Sequence, residues 1–265
     1  MKPGILAALP EAYPWKDSLH CFASIDSTSD HLRSLARQGA PHGTAVIAAH
    51  QTNGHGRMGR SFHSPEGKGI YLSILLRPNC AALDLMHLTC AVAVAMCDAV
   101  EAAASLRPGI KWTNDLVYGK RKLGGILTEL MFRPDGTVDG AIIGIGINCL
   151  QKPEDFPPEI RDIATSLAMV TGREVPPAPM AAAMLEALHR MDGILLSGKR
   201  DILSRYRENC ITIGQEISLL RGDAVRYGTA LSVDEDGALV VAFRDGTVQT
   251  VNSGEVSVRG MYGYV

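Results

Sequence analysis

Three glycines and two arginines fall within the seven residues Gly54-His55-Gly56-Arg57-Met58-Gly59-Arg60. Arginine forks match the oxygens of phosphates and carboxylates, and glycine lets backbone approach a ligand closely. The run Thr44–His50 leads in as a strand and Phe62-His63-Ser64-Pro65 leads out. The stretch reads as a flexible anion-binding loop, although a solvated hairpin tip has the same composition. Two common phosphate scaffolds do not fit. Gly54-x-Gly56-x-x-Gly59 matches the dinucleotide fingerprint letter for letter, but that fingerprint needs a helix opening on its last glycine. Ser64, Pro65, Gly67 and Gly69 stop any helix there. No Gly-Lys-Ser/Thr follows, so the Walker pattern fails as well.

Further polar residues stand where strands end. Ile110–Tyr118 runs into the pair Asn114-Asp115 and out again. Gly119-Lys120-Arg121-Lys122 is a basic turn, and Lys122 opens directly into a strand carrying Gly124 and Gly125. A solvated hairpin is the commoner fate of adjacent cations, but a lysine here would stand over a surface stripped of side chains. In Gly140–Asn148, alternation puts Ala141, Ile143, Ile145 and Ile147 on one face and Ile142, Gly144, Gly146 and Asn148 on the other. Glycine weakens a strand interior, so two on one face mean that a helix or a flat ligand comes close to the backbone. Ser27 and Thr28 sit at a strand-to-helix junction, where they cap the helix or bind a polar head group.

The elements that position these residues are legible in outline. Residues 1–19 read as an irregular lead-in, His20–Ile25 as a strand, and a helix follows Ser27 with Leu32, Leu35 and Ala36 on its inner face and Gly39 at its end. Gly69–Leu76 is a strand. Leu83–Ala104 reads as one long amphipathic helix. Lys152–Pro179 is a proline-rich connection with a short helical piece around 163–170, followed by helices Met180–Leu196 and Lys199–Asn209. Beyond Ile211 the period is two: Glu216–Leu220, Val225–Leu231, Ala238–Phe243 and Val248–Val251 are strands, with turns at Gly222, Asp236-Gly237 and Asp245-Gly246. This predicts two units, residues 1–209 and 210–265.

Composition narrows the function classes. A net charge of −2 leaves no general basic field for nucleic acid. The six cysteines show no C-x-x-C or zinc spacing, and the eight histidines form no H-E-x-x-H cluster, so no structural metal is expected. Cys90 and Cys97 read as buried thiols, and reduced cysteines suggest the cytoplasm. No run reaches about 18 uninterrupted apolar residues, so no membrane span is expected, nor is export.

From about Phe22 onward the chain resembles biotin protein ligases. Gly54–Arg60 resembles that family's G-R-G-R-x-G-R loop, Lys111-Trp112-Thr113-Asn114-Asp115 its K-W-P-N-D segment, and Lys122–Leu127 its K-[LV]-[AGS]-G-I-L strand. Gly144–Asn148 is similar to G-[IA]-G-[IL]-N and Asp26-Ser27-Thr28-Ser29 to D-S-T-N. Five motifs in family order are highly specific. The sequence departs at His55, which replaces a loop arginine that helps order the loop around the adenylate, so the loop is expected to bind more weakly or in a pH-sensitive way. Thr113 replaces proline, Ser29 replaces asparagine, and Phe62 stands where some members have tryptophan.

The resemblance implies an α+β fold: a mixed central sheet with flanking helices, class II synthetase-like, plus a small C-terminal SH3-like β-barrel. It implies an ATP-dependent ligase that forms biotinyl-5′-AMP and passes biotin to a lysine of a biotin carboxyl carrier protein, with Mg²⁺ carried on the ATP phosphates. Lys122, Arg57 and Asp115 are the implied catalytic residues. Ser27, Thr28, Ser29, Gln51, His55, Gly56, Arg57, Lys122, Gly125, Gly144 and Gly146 are the implied biotin site. Arg57, Arg60, Phe62, Trp112, Asn114 and Asn148 are the implied ATP and adenylate site. The longer regulatory members begin with a DNA-binding helix-turn-helix domain, which residues 1–21 do not resemble, so a ligase without repressor activity, acting as monomer or homodimer, is expected. A lipoate ligase, a non-catalytic biotin-binding module and a dinucleotide oxidoreductase are the competing readings.

Overall fold

The computed structural model of the chain describes residues 1–221, 224–252 and 257–260. The chain opens with α1 (Lys2–Ala8), whose Ile5 is fully buried, and a 3-10 turn at Lys16–Ser18. The lead-in is therefore not irregular. Seven residues beginning beside Pro3 are too short to show a helical period, and docking of Ile5 and Leu9 in the core is what orders them.

The central sheet has seven strands in the order β1-β2-β3-β7-β6-β5-β4. They are β1 (Leu19–Phe22), β2 (Ala45–Ala48), β3 (Gly69–Leu76), β4 (Gly109–Lys111), β5 (Asp115–Tyr118), β6 (Arg121–Phe132) and β7 (Val138–Asn148). The β1–β2 pair is parallel, because α2 (Thr28–Arg37) crosses between them; all other neighbours are antiparallel. Alternation along β3 and β7 divides the core in two. Ile70, Leu72, Ile74, Ala141, Ile143 and Ile147 face α3 (Leu88–Ala104) and α6 (Pro177–Ile194). On the other face Leu75, Val46 and Ile142 meet Leu32 and Ala36 of α2. α2 covers that second face over β2, β3 and β7, and the glycines of β6 and β7 lie beside it.

Two expectations change around α3. The helix is not continuous from Leu83: a 3-10 turn spans Ala82–Leu85, and α3 starts afresh after His87. Nor is α3 amphipathic, because residues from Cys90 to Cys97 are buried on every side, between the sheet and α6 and α7 (Lys199–Asn209). Its small Ala, Val and Cys side chains allow that enclosure. Ala82–Ala104 is long and apolar enough to cross a bilayer, and here it is the buried centre of the helical layer. The connection before α6 holds a 3-10 turn at Pro153–Asp155, α4 (Pro158–Arg161) and α5 (Leu167–Thr171), so the helical piece expected at 163–170 is split and shifted.

The second sheet has five antiparallel strands in the order β11-β10-β9-β8-β12: β8 (Glu216–Arg221), β9 (Ala224–Val233), β10 (Leu239–Phe243), β11 (Val248–Val251) and β12 (Ser257–Gly260). Among the described residues β11 and β12 are its edges, so the expected barrel is not closed there. Gly237 and Gly246 turn with φ +85°, as a tight hairpin requires; the turn expected at Gly222 lies outside the described residues. The lead-in to this sheet, its β9–β10 turn and its apolar face hold the first sheet. Ile110 of β4 bridges to Cys210, Trp112 N–H donates to Thr212 Oγ1 (2.9 Å), and Trp112 Nε1 donates to the Gly237 carbonyl (3.0 Å). Ile217, Leu219 and Val241 join the same hydrophobic cluster as α3.

Candidate active site

Register across the sheet builds the floor of a cavity. Tyr71, Gly146, Gly125 and Asp115 pair in one row across β3, β7, β6 and β5; Ser73, Gly144 and Leu127 pair in the next. Gly146 and Gly125 are thus neighbours on one face, a patch of bare backbone. The cavity above it is lined by Thr28, Ser29, Gln51, His55, Gly56, Arg57, Phe62, Asn114, Lys122, Gly125, Ile126, Leu127, Gly144, Ile145 and Gly146.

Its polar wall comes from α2. Ser27 caps that helix, its hydroxyl accepting from Asp30 N–H at 3.3 Å, so Thr28 and Ser29 in the first turn point at the sheet. The Thr28 amide and hydroxyl both donate to Gln51 Oε1, at 2.8 and 3.0 Å. Gln51 Nε2 reaches Ser64 Oγ at 3.3 Å. Ser73 Oγ lies 2.8 Å from Thr28 Oγ1 and 2.9 Å from Ser29 Oγ, fully buried at the centre of β3. Sequence reasoning missed Ser73. Its signal was a single hydroxyl inside the apolar run Gly69–Leu76.

The cationic wall comes from two turns. A register shift at Leu116/Val117 sets Val117 opposite Lys122, and such bulges re-aim side chains. The Lys122 backbone is tied to Ile163 and Thr165 at 2.7 and 2.8 Å. Its Nζ stands over Gly125, where an added Cβ would come within 3.1 Å of it, and donates to Asp115 Oδ1 at 2.6 Å. Arg57 Nη1 donates to Asn114 Oδ1 at 3.0 Å, and Asn114 Nδ2 donates to the Ile126 carbonyl at 2.8 Å. Burial pulls the Arg57 guanidinium below its usual range, with Asp115 pulling the other way. Two cations and one carboxylate therefore meet at the end of the glycine floor, an arrangement able to stabilise negative charge on a phosphate or a carboxylate there.

Phe62 covers the floor. An added Cβ on Gly146 would lie 2.5 Å from its Cε1, and one on Gly125 would lie 3.5 Å from its Cε2. With the ring in place the cavity is only about 50 Å³, room for a few waters. A flat ligand on this floor has to displace the ring. Beyond the hairpin Gly54–Phe62, closed by the antiparallel bridge of His55 with Ser61, a groove of about 560 Å³ continues between Asp30, Arg33, Thr89 and Glu129 and shares Arg57 and Asn114 with the cavity.

Five expected site residues line neither space. Asp115 stands behind Lys122 as the acceptor of its Nζ. Ser27 is buried as a helix cap. Trp112 lies under the second sheet, where the β9–β10 turn takes its indole N–H. Asn148 is buried: its Nδ2 donates to Thr165 O at 2.9 Å and its Oδ1 accepts from Gln151 at 3.0 Å. Arg60 is exposed on the hairpin. Trp112 and Asn148 are occupied by partners 125 and 17 positions away that no local pattern announces. All six cysteines are free thiols, with Cys90 and Cys97 buried.

Residues 21–148 match the Biotin/lipoate A/B protein ligase family, and residues 212–259 match the Biotin protein ligase C terminal domain. The chain is 36% identical to the bifunctional ligase/repressor BirA of Bacillus spizizenii over 235 residues, 88% of this chain and 72% of that protein. It is 30% identical to the biotin–[acetyl-CoA-carboxylase] ligase of Mycobacterium tuberculosis over 251 residues, 91% and 89% of the two. A biotin protein ligase from Aquifex aeolicus, solved in complex with biotin and ATP, superposes with a TM-score of 0.77 at 28% identity, covering 91% of this chain and 98% of that one.

Proposed function

Because the chain belongs to the biotin/lipoate protein ligase family, we propose that it is an ATP-dependent enzyme that activates biotin as biotinyl-5′-AMP and transfers it to a lysine of a biotin carboxyl carrier protein. One observation carries this reading: Lys122 and Arg57 converge over a two-glycine floor whose far wall is the hydroxyl and amide cluster of Thr28, Ser29, Gln51 and Ser73. A carboxylate-bearing ligand with a polar head fits between those ends. The C-terminal match favours biotin over lipoate, and the carrier follows from the acetyl-CoA carboxylase in the relative's name.

In the first step a biotin carboxylate oxygen attacks the α-phosphorus of ATP, and the bond to pyrophosphate breaks. Lys122 Nζ and Arg57 stabilise the charge that gathers between carboxylate and phosphate. In the second, a carrier lysine nitrogen attacks the acyl carbon, loses a proton, and AMP leaves. Asp115 positions Lys122 and is the acid nearest the reacting atoms. Thr28 and Gln51 hold the head group, and Gly125, Gly144 and Gly146 let it lie on the sheet. Asn114 fixes Arg57, and the hairpin excludes water from the mixed anhydride. Phe62, displaced from the floor, is free to stack on adenine. Among the described residues no three His, Cys, Asp or Glu side chains form a ligand set, so Mg²⁺ would arrive on the ATP phosphates, neutralising their charge. Residues 210–265 form the proposed C-terminal unit after a catalytic unit of residues 1–209. The six free thiols suit a reducing cytoplasm.

ATP–pyrophosphate exchange tests the reading, run with biotin, with lipoate and with neither. Biotin-dependent exchange that Lys122→Ala abolishes is the expected result. Lipoate-dependent exchange would reassign the substrate, and no exchange from folded protein would leave a binding module.

A further inference from the structure

The glycine–arginine hairpin is held on both sides of the cavity mouth. Arg57 joins it to Asn114 at the β4–β5 turn. On the opposite side His55 Nε2 donates to Asp30 Oδ2 at 2.7 Å. Asp30 lies in the first turn of α2, next to Ser29, so the helix that supplies the cavity hydroxyls also anchors the loop above them. Arg33 fixes Asp30 in turn: its Nη1 pairs with Asp30 Oδ1, and its Nη2 reaches Glu129 Oε2 on β6 at 2.8 Å. The hairpin is internally braced, with Gly56 N–H donating to Arg60 O at 2.7 Å and Phe62 N–H to Gly54 O at 2.8 Å. A braced hairpin moves as a unit, so these two side anchors govern whether it lifts.

We propose that Asp30 is a positioning residue for the ligase reaction: through His55 it latches the hairpin to α2. The inference rests on the hairpin's role as the strap over an acyl-adenylate. The charged and titratable groups facing His55 are Asp30 and Arg33 from α2, Glu129 from β6 and Arg57 from the hairpin itself. Burial pushes the Asp30 carboxyl up, but the hydrogen bonds and charges of His55 and Arg33 outweigh it and hold it below the usual carboxylate range. Both partners of the latch are partly exposed (39% and 46%), so losing it changes the open fraction by roughly two- to fivefold rather than by orders of magnitude.

Trypsin reads the latch directly, because Arg57 and Arg60 lie in the hairpin. The full chain without ligand is nicked at pH 6, sites are identified by mass, and the rate of cleavage after Arg57 and Arg60 is compared between variants. Asp30→Asn should be nicked roughly two- to fivefold faster than wild type, with Asp30→Glu recovering part of the protection. Since Asp30→Asn also touches the first turn of α2, His55→Gln provides the same loss from the other partner and should match it. Asp30→Asn and His55→Gln nicked no faster than wild type would overturn the proposal. With ligand, Asp30→Asn should release labelled biotinyl-adenylate roughly two- to fivefold faster than wild type at pH 6, and unchanged release would equally overturn it. Absence of biotin-dependent exchange in wild type would remove the proposed activity while the nicking result still decided the latch.

Discussion

Gly146→Ala is the sharpest single test of where a ligand lies. A Cβ at 146 would stand 2.5, 2.6 and 3.1 Å from three ring carbons of Phe62. Carbon atoms sit comfortably at about 3.5–4.0 Å, so the ring has to retreat by about 1 Å. Phe62 is half-buried on the hairpin and has room to retreat, whereas the floor has none, because Gly146 is paired on both sides, to Tyr71 and to Gly125. For the fold, two small effects oppose. Replacing glycine in a strand at ordinary φ gains about 0.4–1 kcal/mol through the unfolded chain, and the lost Phe62 contact costs a similar amount. The melting temperature should stay within about 4 °C of wild type. For a flat ligand the methyl intrudes into the plane it needs, and overpacking of this kind costs about 1–3 kcal/mol, roughly 5- to 150-fold in Kd. Titration calorimetry with biotin, beside thermal melts, separates the two. Gly193→Ala is the control, since nothing lies within 4 Å of a Cβ there, in α6; it should leave affinity unchanged. Wild-type affinity in a well-folded Gly146→Ala protein would refute the idea that the ligand lies on the glycine floor.

Three other outcomes follow from the same structure. Lys122→Ala should slow adenylate formation by roughly 10²–10³ while costing about 1 kcal/mol of stability, because Asp115 keeps the nearby Arg57 charge; single-turnover kinetics and melts read both. Ser73→Ala should cost about 1–3 kcal/mol in denaturant unfolding, since it removes the hydroxyl shared by Thr28 and Ser29, and should weaken biotin binding as the cavity wall loosens. His87 is buried, with its Nε2 donating to the Leu195 carbonyl at 2.9 Å, and Nδ1 has no partner among the described residues. Burial pulls its pKa below the usual histidine range, against a smaller upward pull from that carbonyl. The folded state thus favours the neutral ring: its stability is fully present above the unfolded value of about 6.5 and is lost as pH falls below it. Melting temperature should therefore drop between pH 7 and 5, and His87→Gln, which keeps a donor for Leu195, should flatten that drop.

Much of this protein is determined by local chemistry, and that part was legible. Helix α7 and strands β3 and β11 fall on the residues that period and turn signals predict, because alternation and capping act over a few neighbours. The same holds for the glycine face of β7. Two glycines at spacing two announce a bare floor whatever folds around it, and Lys122 at the mouth of the next strand is placed by a two-residue turn. Tertiary structure alone decided what covers and connects these parts. Ser73 becomes the hub of the hydroxyl wall only through the register of β3 with β7 and the docking of α2. Trp112 leaves the site because the β9–β10 turn, 125 residues away, takes its indole hydrogen. Asn148 is satisfied by Thr165 and Gln151, and Phe62 folds back over Gly146. His55 meets Asp30 across 25 positions. Sequence spacing sets which way a side chain points along its own strand or helix. Which distant donor meets it depends on how two elements dock, and that is a property of the packed whole.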